Sequence, residues 1–435
     1  MKRTALAVTF ATLALLATSC SEAPSNDDAR SPGTTIPSTS CEGDKLLACA
    51  RASMLGDLVP AKATKATGTP ITLGMINQEN TPAGSFPELS QAVQAAATFV
   101  NDQLGGIDGH PIKVDVCNTK FSTEGSATCG QKFVDQKVPA VLGGIDVFGN
   151  ANDVLDQNDI PFIGGIPVST QSVQSPNSFQ WSGGTWGATV AFADYAINTL
   201  KAKNVAIVYS EFGSITDSAK YGERVLKDSG IEVELVPFPI MSPDISTPLQ
   251  AAAANNPDAI VILAADTSCK AAFDALEAQQ IDATPFFTGA CAPPTVIDPL
   301  PVEKTDGTIF NVEGPIVRDN PGPDPTLYNA VINEYGDGLN PVGAGTVSFR
   351  SFMNLYAVMR GIGADELSPA TLIKALRATV DEPSFMGHPY TCDGKQFKGL
   401  PGMCSPQQVL ARMENKQLIQ VGDWIDVGAV YAATF

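Results

Sequence analysis

Ile71-Thr72-Leu73-Gly74-Met75-Ile76 is followed, behind Pro87, by Leu89, Val93, Ala96, Ala97, Val100 and Leu104, then by Gly105-Gly106 and a second apolar run, Ile112 to Val116. The first run has the length of a strand, and the next set recurs at helical spacing after a proline suited to a first turn. Two glycines stop the helix. The alternation continues with a helix near Ser126 to Gln136, Ala140 to Leu142, a helix from about Ala151, and Pro161 to Ile163. Strands that alternate with helices pair in parallel, so the expected sheet is doubly wound.

The same grammar restarts after Ser182-Gly183-Gly184-Thr185. Helix Val190 to Leu200, strand Val205 to Tyr209, helix Ser218 to Lys227, strand Ile231 to Val236, helix Thr247 to Asn255, strand Ala259 to Leu263, helix Lys270 to Gln279 and strand Pro285 to Thr288 make a second α/β unit. Two such lobes imply a cleft between them. Further helices are expected over Leu327 to Glu334, Val347 to Gly361 and Pro369 to Thr379. Val409 to Met413 and Leu418 to Val421 form a closing hairpin around Asn415-Lys416.

Upstream, Met1-Lys2-Arg3, an apolar run from Thr4 to Ala17, and Ala17-Thr18-Ser19-Cys20 read as a bacterial lipoprotein signal. Cys20 is the expected lipidation site and mature N-terminus, and acyl chains there would anchor the chain to a membrane surface. Residues 21–69 are rich in Ser, Pro, Thr, Ala and Asp and read as a flexible tether with one short helix at most. The other cysteines fall in close pairs, Cys41/Cys49, Cys117/Cys129, Cys269/Cys291 and Cys392/Cys404. Outside the cytosol they are expected to form disulfides. Many connectivities remain open to sequence, and pairing between neighbours is the expectation because each pair brackets a turn-rich stretch. Metal is the weaker reading: no pair has a C-x-x-C spacing and the chain holds only His110 and His388.

Of the 435 residues 44% are hydrophobic, ample for sizeable cores, and the formal charge is -19. An acidic surface repels nucleic acid and anionic lipid, which excludes polyanion partners. With no G-x-S-x-G, no phosphate loop and two isolated histidines, little could run catalysis, and no cofactor is expected.

Asn101-Asp102-Gln103-Leu104-Gly105-Gly106-Ile107-Asp108-Gly109-His110-Pro111-Ile112-Lys113-Val114, placed after the first strand and helix, resembles the opening of type I periplasmic binding proteins of the branched-chain amino acid class. Val138-Pro139-Ala140-Val141-Leu142-Gly143-Gly144, Ile160-Pro161-Phe162-Ile163 and Asn204-Val205-Ala206-Ile207-Val208-Tyr209 continue the likeness, which covers residues 70 to about 425. The resemblance implies two Rossmann-like lobes joined by a three-strand hinge. It assigns 70–182 with 314–405 to the first lobe and 183–313 with 406–435 to the second. Hinges would lie near Gly183-Gly184, Val312 to Pro315 and Met403 to Pro406. It further implies a monomeric substrate-binding lipoprotein of an ABC importer, with permease and ATPase subunits as partners and a small amino acid, amide or related acid as ligand. A sensor subunit feeding a membrane receptor is the alternative.

Ligands of such sheets sit beyond the carboxyl ends of the strands. By the family pattern Phe86 would cover the ligand or else pack the helix start. In Ile145-Asp146-Val147-Phe148-Gly149, Phe148 replaces a hydroxyl residue, and the N–H groups of Phe148 and Gly149 would hold an anion. Val168, Ser169 and Thr170 follow, with either hydroxyl as donor or as helix cap. Trp181 would line the cleft or pack the hinge, and Phe212, Asp266 and Thr267 belong to second-lobe loops. Amino-acid binders carry an acidic residue after the strand ending at Thr288, because a buried ammonium needs a partner. This chain has Gly289-Ala290-Cys291-Ala292 there, leaving Asp146, Asp266 or Glu79 as substitutes.

Overall fold

The computed structural model describes residues 41–435 except 82, 83, 241, 265, 313 and 315–321, and leaves out the side chains of Asp44, Asp266 and Thr267. The leader with Cys20, the tether as far as residue 40 and two of the four residues of the second expected hinge, 313 and 315, lie outside the described residues.

After a short helix, α1 (Leu46–Ala52), the strand β1 (Ile71–Asn77) pairs in parallel with β2 (Ile112–Asn118) and β3 (Val141–Gly143). β4 (Phe162–Ile163) and β5 (Ser178–Phe179) complete a sheet of order β2-β1-β3-β4-β5. Its crossovers are α2 (Pro87–Gln103), α3 (Thr123–Gln136), α4 (Asn150–Asp156) and α5 (Thr170–Gln174). α2 buries Leu89, Val93, Ala96, Phe99 and Val100 against the sheet, and Pro87 opens it. It ends where Gly105 and Gly106 turn left-handed, and a Cβ on Gly106 would lie 2.1 Å from the His110 carbonyl, so only glycine fits.

The second lobe starts with α6 (Gly184–Tyr195), then β6 (Asn204–Ser210), α7 (Gly213–Asp228), β7 (Glu232–Phe238), α8 (Ser246–Ala253), β8 (Ala259–Leu263) and α9 (Asp266–Ala278). β9 (Thr284–Phe287), the one-turn helices α10 (Pro294–Ile297) and α11 (Val302–Thr305), and β10 (Ile309–Val312) follow. α12 (Pro323–Tyr335), α13 (Gly345–Ile362) and α14 (Pro369–Arg377) return to the first lobe. β11 (Gln407–Glu414), β12 (Gln417–Asp426) and α15 (Val427–Ala432) end the chain. β11 and β12 are the expected antiparallel hairpin, with Asn415 and Lys416 both at positive φ as a tight two-residue turn requires. The sheet order is β12-β11-β10-β9-β8-β6-β7. Counted from β1 and from β6, five strands in each lobe follow the same order, second-first-third-fourth-fifth. Strand order therefore reverses between β1 and β3 and again between β6 and β8, which is where such sheets open a crevice.

Two expectations need correction. The tether stops short of residue 69: Cys41, Leu46, Leu47, Cys49, Ala50 and Leu55 are buried in the first lobe's core beside Leu327 and Tyr328 of α12, and Met54 N donates to Asp324 at 2.8 Å. The one short helix expected there is α1, seven residues long, and its apolar side is packed into the lobe where a free tether was expected. The lobe boundary expected at residue 405 also shifts, because Phe397, Leu400 and Met403 are buried in the second lobe's core.

All four neighbouring cysteine pairs are bonded, Cys41–Cys49, Cys117–Cys129, Cys269–Cys291 and Cys392–Cys404. Two crossovers run side by side at the hinge, where Gln180 N donates to Gly402 O and Cys404 N to Gln180 O, each at 2.8 Å. Gln408, fully buried, packs its amide against Gly183 and Gly187 and accepts from Asn311 at 3.4 Å. A side chain at position 183 would collide with that amide.

Candidate functional site

At the carboxyl end of β1, buried Asn77 organises three loops. Its amide donates to Phe86 O at 2.7 Å and to Glu79 at 3.0 Å, while its oxygen accepts from Ile145 N at 3.1 Å. Asn118, ending β2, ties in the same turn by donating to Glu79 O at 2.7 Å. The bond to Ile145 N is buried and the others are partly so, and together they hold the loops after β1, β2 and β3 in one arrangement.

Asp146 is buried in that arrangement. Ser126 Oγ donates to one carboxylate oxygen at 2.5 Å, Phe148 N donates to the other at 3.3 Å, and the Gly149 N–H adds to the shell. Ser126 Oγ in turn accepts from Ala151 N at 2.8 Å. Burial pushes the Asp146 carboxyl above its ordinary value, against the downward pull of those hydrogen bonds. This corrects two expectations together: the N–H groups of Phe148 and Gly149 hold the chain's own carboxylate, and Asp146 is a brace of the loop with both oxygens engaged.

Val147 and Phe148 remain half-buried at the tip of this loop, with Val147 packed on the first lobe's core. Gly149, at φ +71°, presses against the loop after β4, and a Cβ there would lie 2.6 Å from Ser169 Oγ. Ser169 caps α5 by accepting from Ser172 N at 3.3 Å, so the capping role is the observed one. Thr170 instead turns outward, donating to Asp217 of α7 at 3.3 Å.

That contact crosses between the lobes, and others accompany it. Ser214 Oγ of α7 donates to the Val168 carbonyl. Phe212, at the start of α7, meets Phe148 edge to face with centroids 5.4 Å apart, and Phe121 from the loop after β2 flanks Phe148 at 5.2 Å. Three rings from two lobes thus converge at the ends of β2, β3 and β6. A cavity of about 260 Å³ adjoins the seam, lined by Thr170, Gln174, Trp186, Asp217, Lys220 and Tyr221. The hydroxyls of Ser210, ending β6, and Thr288, just past β9, are buried without a hydrogen-bond partner among the described residues. A wider depression of about 500 Å³, including Pro257, Asp258, Thr284 and Gly307, lies at the opposite ends of the second sheet's strands and draws on that lobe alone.

Other expected residues sit elsewhere. Phe86 caps the start of α2 and packs on the first lobe's core, which is its packing alternative. Trp181 is buried against Tyr390, rings edge to face at 5.3 Å, and so packs the hinge. Asp266 and Thr267 open α9. Ala290 is exposed in the turn Gly289–Cys291, which the Cys269–Cys291 bond ties to α9 and which Asn311 holds by accepting from Gly289 N at 2.8 Å. Phe121 and Asp217 were not anticipated, and Asn77 and Ser214, inside the strand-end stretches 77–86 and 210–215 that the sequence marks, were not singled out. The rule that marks strand carboxyl ends would have flagged Phe121, three residues past β2, had the stretch not read simply as a turn inside a disulfide.

Residues 70–399 match the family model described as periplasmic binding protein. The chain belongs to that family, whose members are binding proteins and not enzymes. No curated protein matches the sequence. Among solved structures, a leucine-binding protein from Thermotoga maritima superposes with TM-score 0.65 at 16% identity, over 82% of this chain and 98% of that one. A branched-chain amino acid transporter substrate-binding protein from Streptococcus pneumoniae, in complex with isoleucine, gives 0.66 at 16% identity over 81% and 100%. A solute-binding protein of an ABC transporter from Rhodopseudomonas palustris, in complex with 3,4-dihydroxybenzoic acid, gives 0.66 at 16% over 82% and 98%. Identities this low bear on the fold, and the type I periplasmic binding protein fold is what they share with it. Among the described residues no helix is long and apolar enough to cross a membrane, and no cluster of His, Cys, Asp and Glu could hold a metal ion.

Proposed function

We propose that this chain is the solute-binding component of an ABC importer, exported, anchored through lipidated Cys20, and closing its lobes over one small molecule for delivery to a permease and ATPase. The observation that carries the reading is the seam itself: loops at strand carboxyl ends of both lobes meet through Phe148 with Phe212, Thr170 with Asp217 and Ser214 with Val168. A ligand that contacts both sides favours the closed form by its differential affinity, and by nothing else.

Ring faces and edges at Phe121, Phe148 and Phe212 suit a solute with an apolar or planar body. A carboxylic acid or amide fits better than an α-amino acid. Both oxygens of Asp146 are engaged and the turn at 289–291 has no acid, so an ammonium would have to rely on Asp266 or on Glu79, whose Oε1 already accepts from Asn77 and from Ser90 Oγ at 2.6 Å. The solved relatives span leucine, isoleucine and a dihydroxybenzoic acid. A thermal-shift panel of amino acids, amides, short-chain acids and aromatic acids tests this. Ligand at about a hundred times Kd contributes about 2.7 kcal/mol, a shift of several degrees. Stabilisation by α-amino acids alone would overturn the ligand class, and hydrolysis of a panel ester or amide would overturn the binding role.

A further inference from the structure

We propose that the disulfide-closed loop 392–404 is a plug that couples the two lobes and sets how far they part. Its ends and its middle belong to different cores. Cys392 and Cys404 are buried in the first lobe's core, whereas Phe397, Leu400 and Met403 between them are buried in the second lobe's, together with Val173 of α5.

On the first-lobe side, Arg377 lies on the Phe179 ring and donates to Cys392 O at 2.8 Å and Pro401 O at 3.3 Å. Thr391 N donates to Cys404 O at 3.0 Å, and Cys392 N to Thr379 Oγ1 at 3.2 Å. On the second-lobe side, Phe397 packs on Tyr221 of α7 and Tyr431 of α15, with centroids 5.8 and 5.1 Å apart. Lys398 Nζ sits 3.3 Å from the Phe435 ring centre. The Gln396 carbonyl lies so close to Gly428 that a Cβ there would approach it to 2.0 Å.

Withdrawing a Phe, a Leu and a Met from a packed interior re-exposes their whole apolar surface. The bond between residues 392 and 404 leaves the loop no slack to stretch. Rotation of one lobe against the other must therefore pivot about this loop, with motion taken up by the paired crossovers at Gln180 and Met403. The proposal rests on the lobes being the bodies that move in the function proposed above, and its test needs no solute, so the two readings can fail separately.

The experiment compares the wild type with C392S/C404S, C117S/C129S and G428A by calorimetry and small-angle X-ray scattering. Cys117–Cys129 spans the same separation of 12 residues as Cys392–Cys404 but lies wholly in the first lobe, so it controls for the loss of a disulfide as such. Wild type and C117S/C129S are expected to show one unfolding transition and the same radius of gyration. C392S/C404S and G428A should show two transitions and a larger radius. Should C392S/C404S fail to fold, G428A decides, because it keeps the bond and displaces the loop tip. A single transition with wild-type scattering in G428A, or two transitions in C117S/C129S, would overturn the proposal.

Discussion

Phe148 of the first lobe and Phe212 of the second meet edge to face, with centroids 5.4 Å apart and planes at 85°. Each ring stands one or two residues before a helix, α4 or α7, at a strand carboxyl end. Such pairs contribute about 0.5–1.5 kcal/mol beyond their buried area. A double-mutant cycle of F148A and F212A should therefore give a coupling of about 1 kcal/mol in solute affinity, measured by calorimetric titration. Strictly additive single losses would mean the rings do not act together in the bound state.

Asp146 supplies a prediction in pH. Burial raises its carboxyl above the ordinary value, so the folded state holds this proton more tightly than the unfolded chain. Its contribution is full below the unfolded pKa of about 4 and is lost as pH rises through the raised folded value. D146N cannot titrate, so the stability advantage of wild type over D146N should shrink from pH 4 towards pH 7 in thermal melts. An advantage that grows over the same window contradicts the assignment of Asp146 as a buried brace.

Asn77 joins the turns after β1 and β3 through three hydrogen bonds while fully buried. N77A strips partners from the Ile145 N–H and the Phe86 carbonyl and leaves a cavity. A loss of about 2–4 kcal/mol is expected in urea unfolding. Weaker solute binding should accompany it, since Phe148 rides on the loop that begins at Ile145. Unchanged affinity would show that this loop is held without Asn77.

The segment ahead of β1 is a structural part of the first lobe. Leu46 is buried between α1 and α12, and L46A should cost about 2–4 kcal/mol by the usual cavity terms. A tether would not respond, so a change below about 0.5 kcal/mol by denaturant melt would restore the tether reading.

How legible was this in the amino-acid order? The parallel sheets were, because runs such as Ile71 to Ile76 and Ala259 to Leu263 are continuous and buried on both faces, with strongly periodic helices between them. β4 and β5, two residues each, carry no period of their own, and β5 went unread. Helix starts were read late: α7 begins at Gly213 and not Ser218, because its first turn is polar. Within the site, the loops could be located from strand ends, but the partition of roles could not. Whether Ser169 caps and Thr170 reaches across, or whether Asp146 faces a ligand or Ser126, is decided by neighbours distant in sequence. Ser126 is 20 residues from Asp146, and Asp217 is 47 from Thr170.

The most direct test of the central claim is hydrogen exchange with and without whichever panel solute gives the largest thermal shift. Slowed exchange is predicted at 145–149 and 166–170 in the first lobe and at 210–214 in the second, together. Protection confined to one lobe, or centred on the depression at Asp258 and Thr284, would contradict a solute held between the strand ends of both lobes.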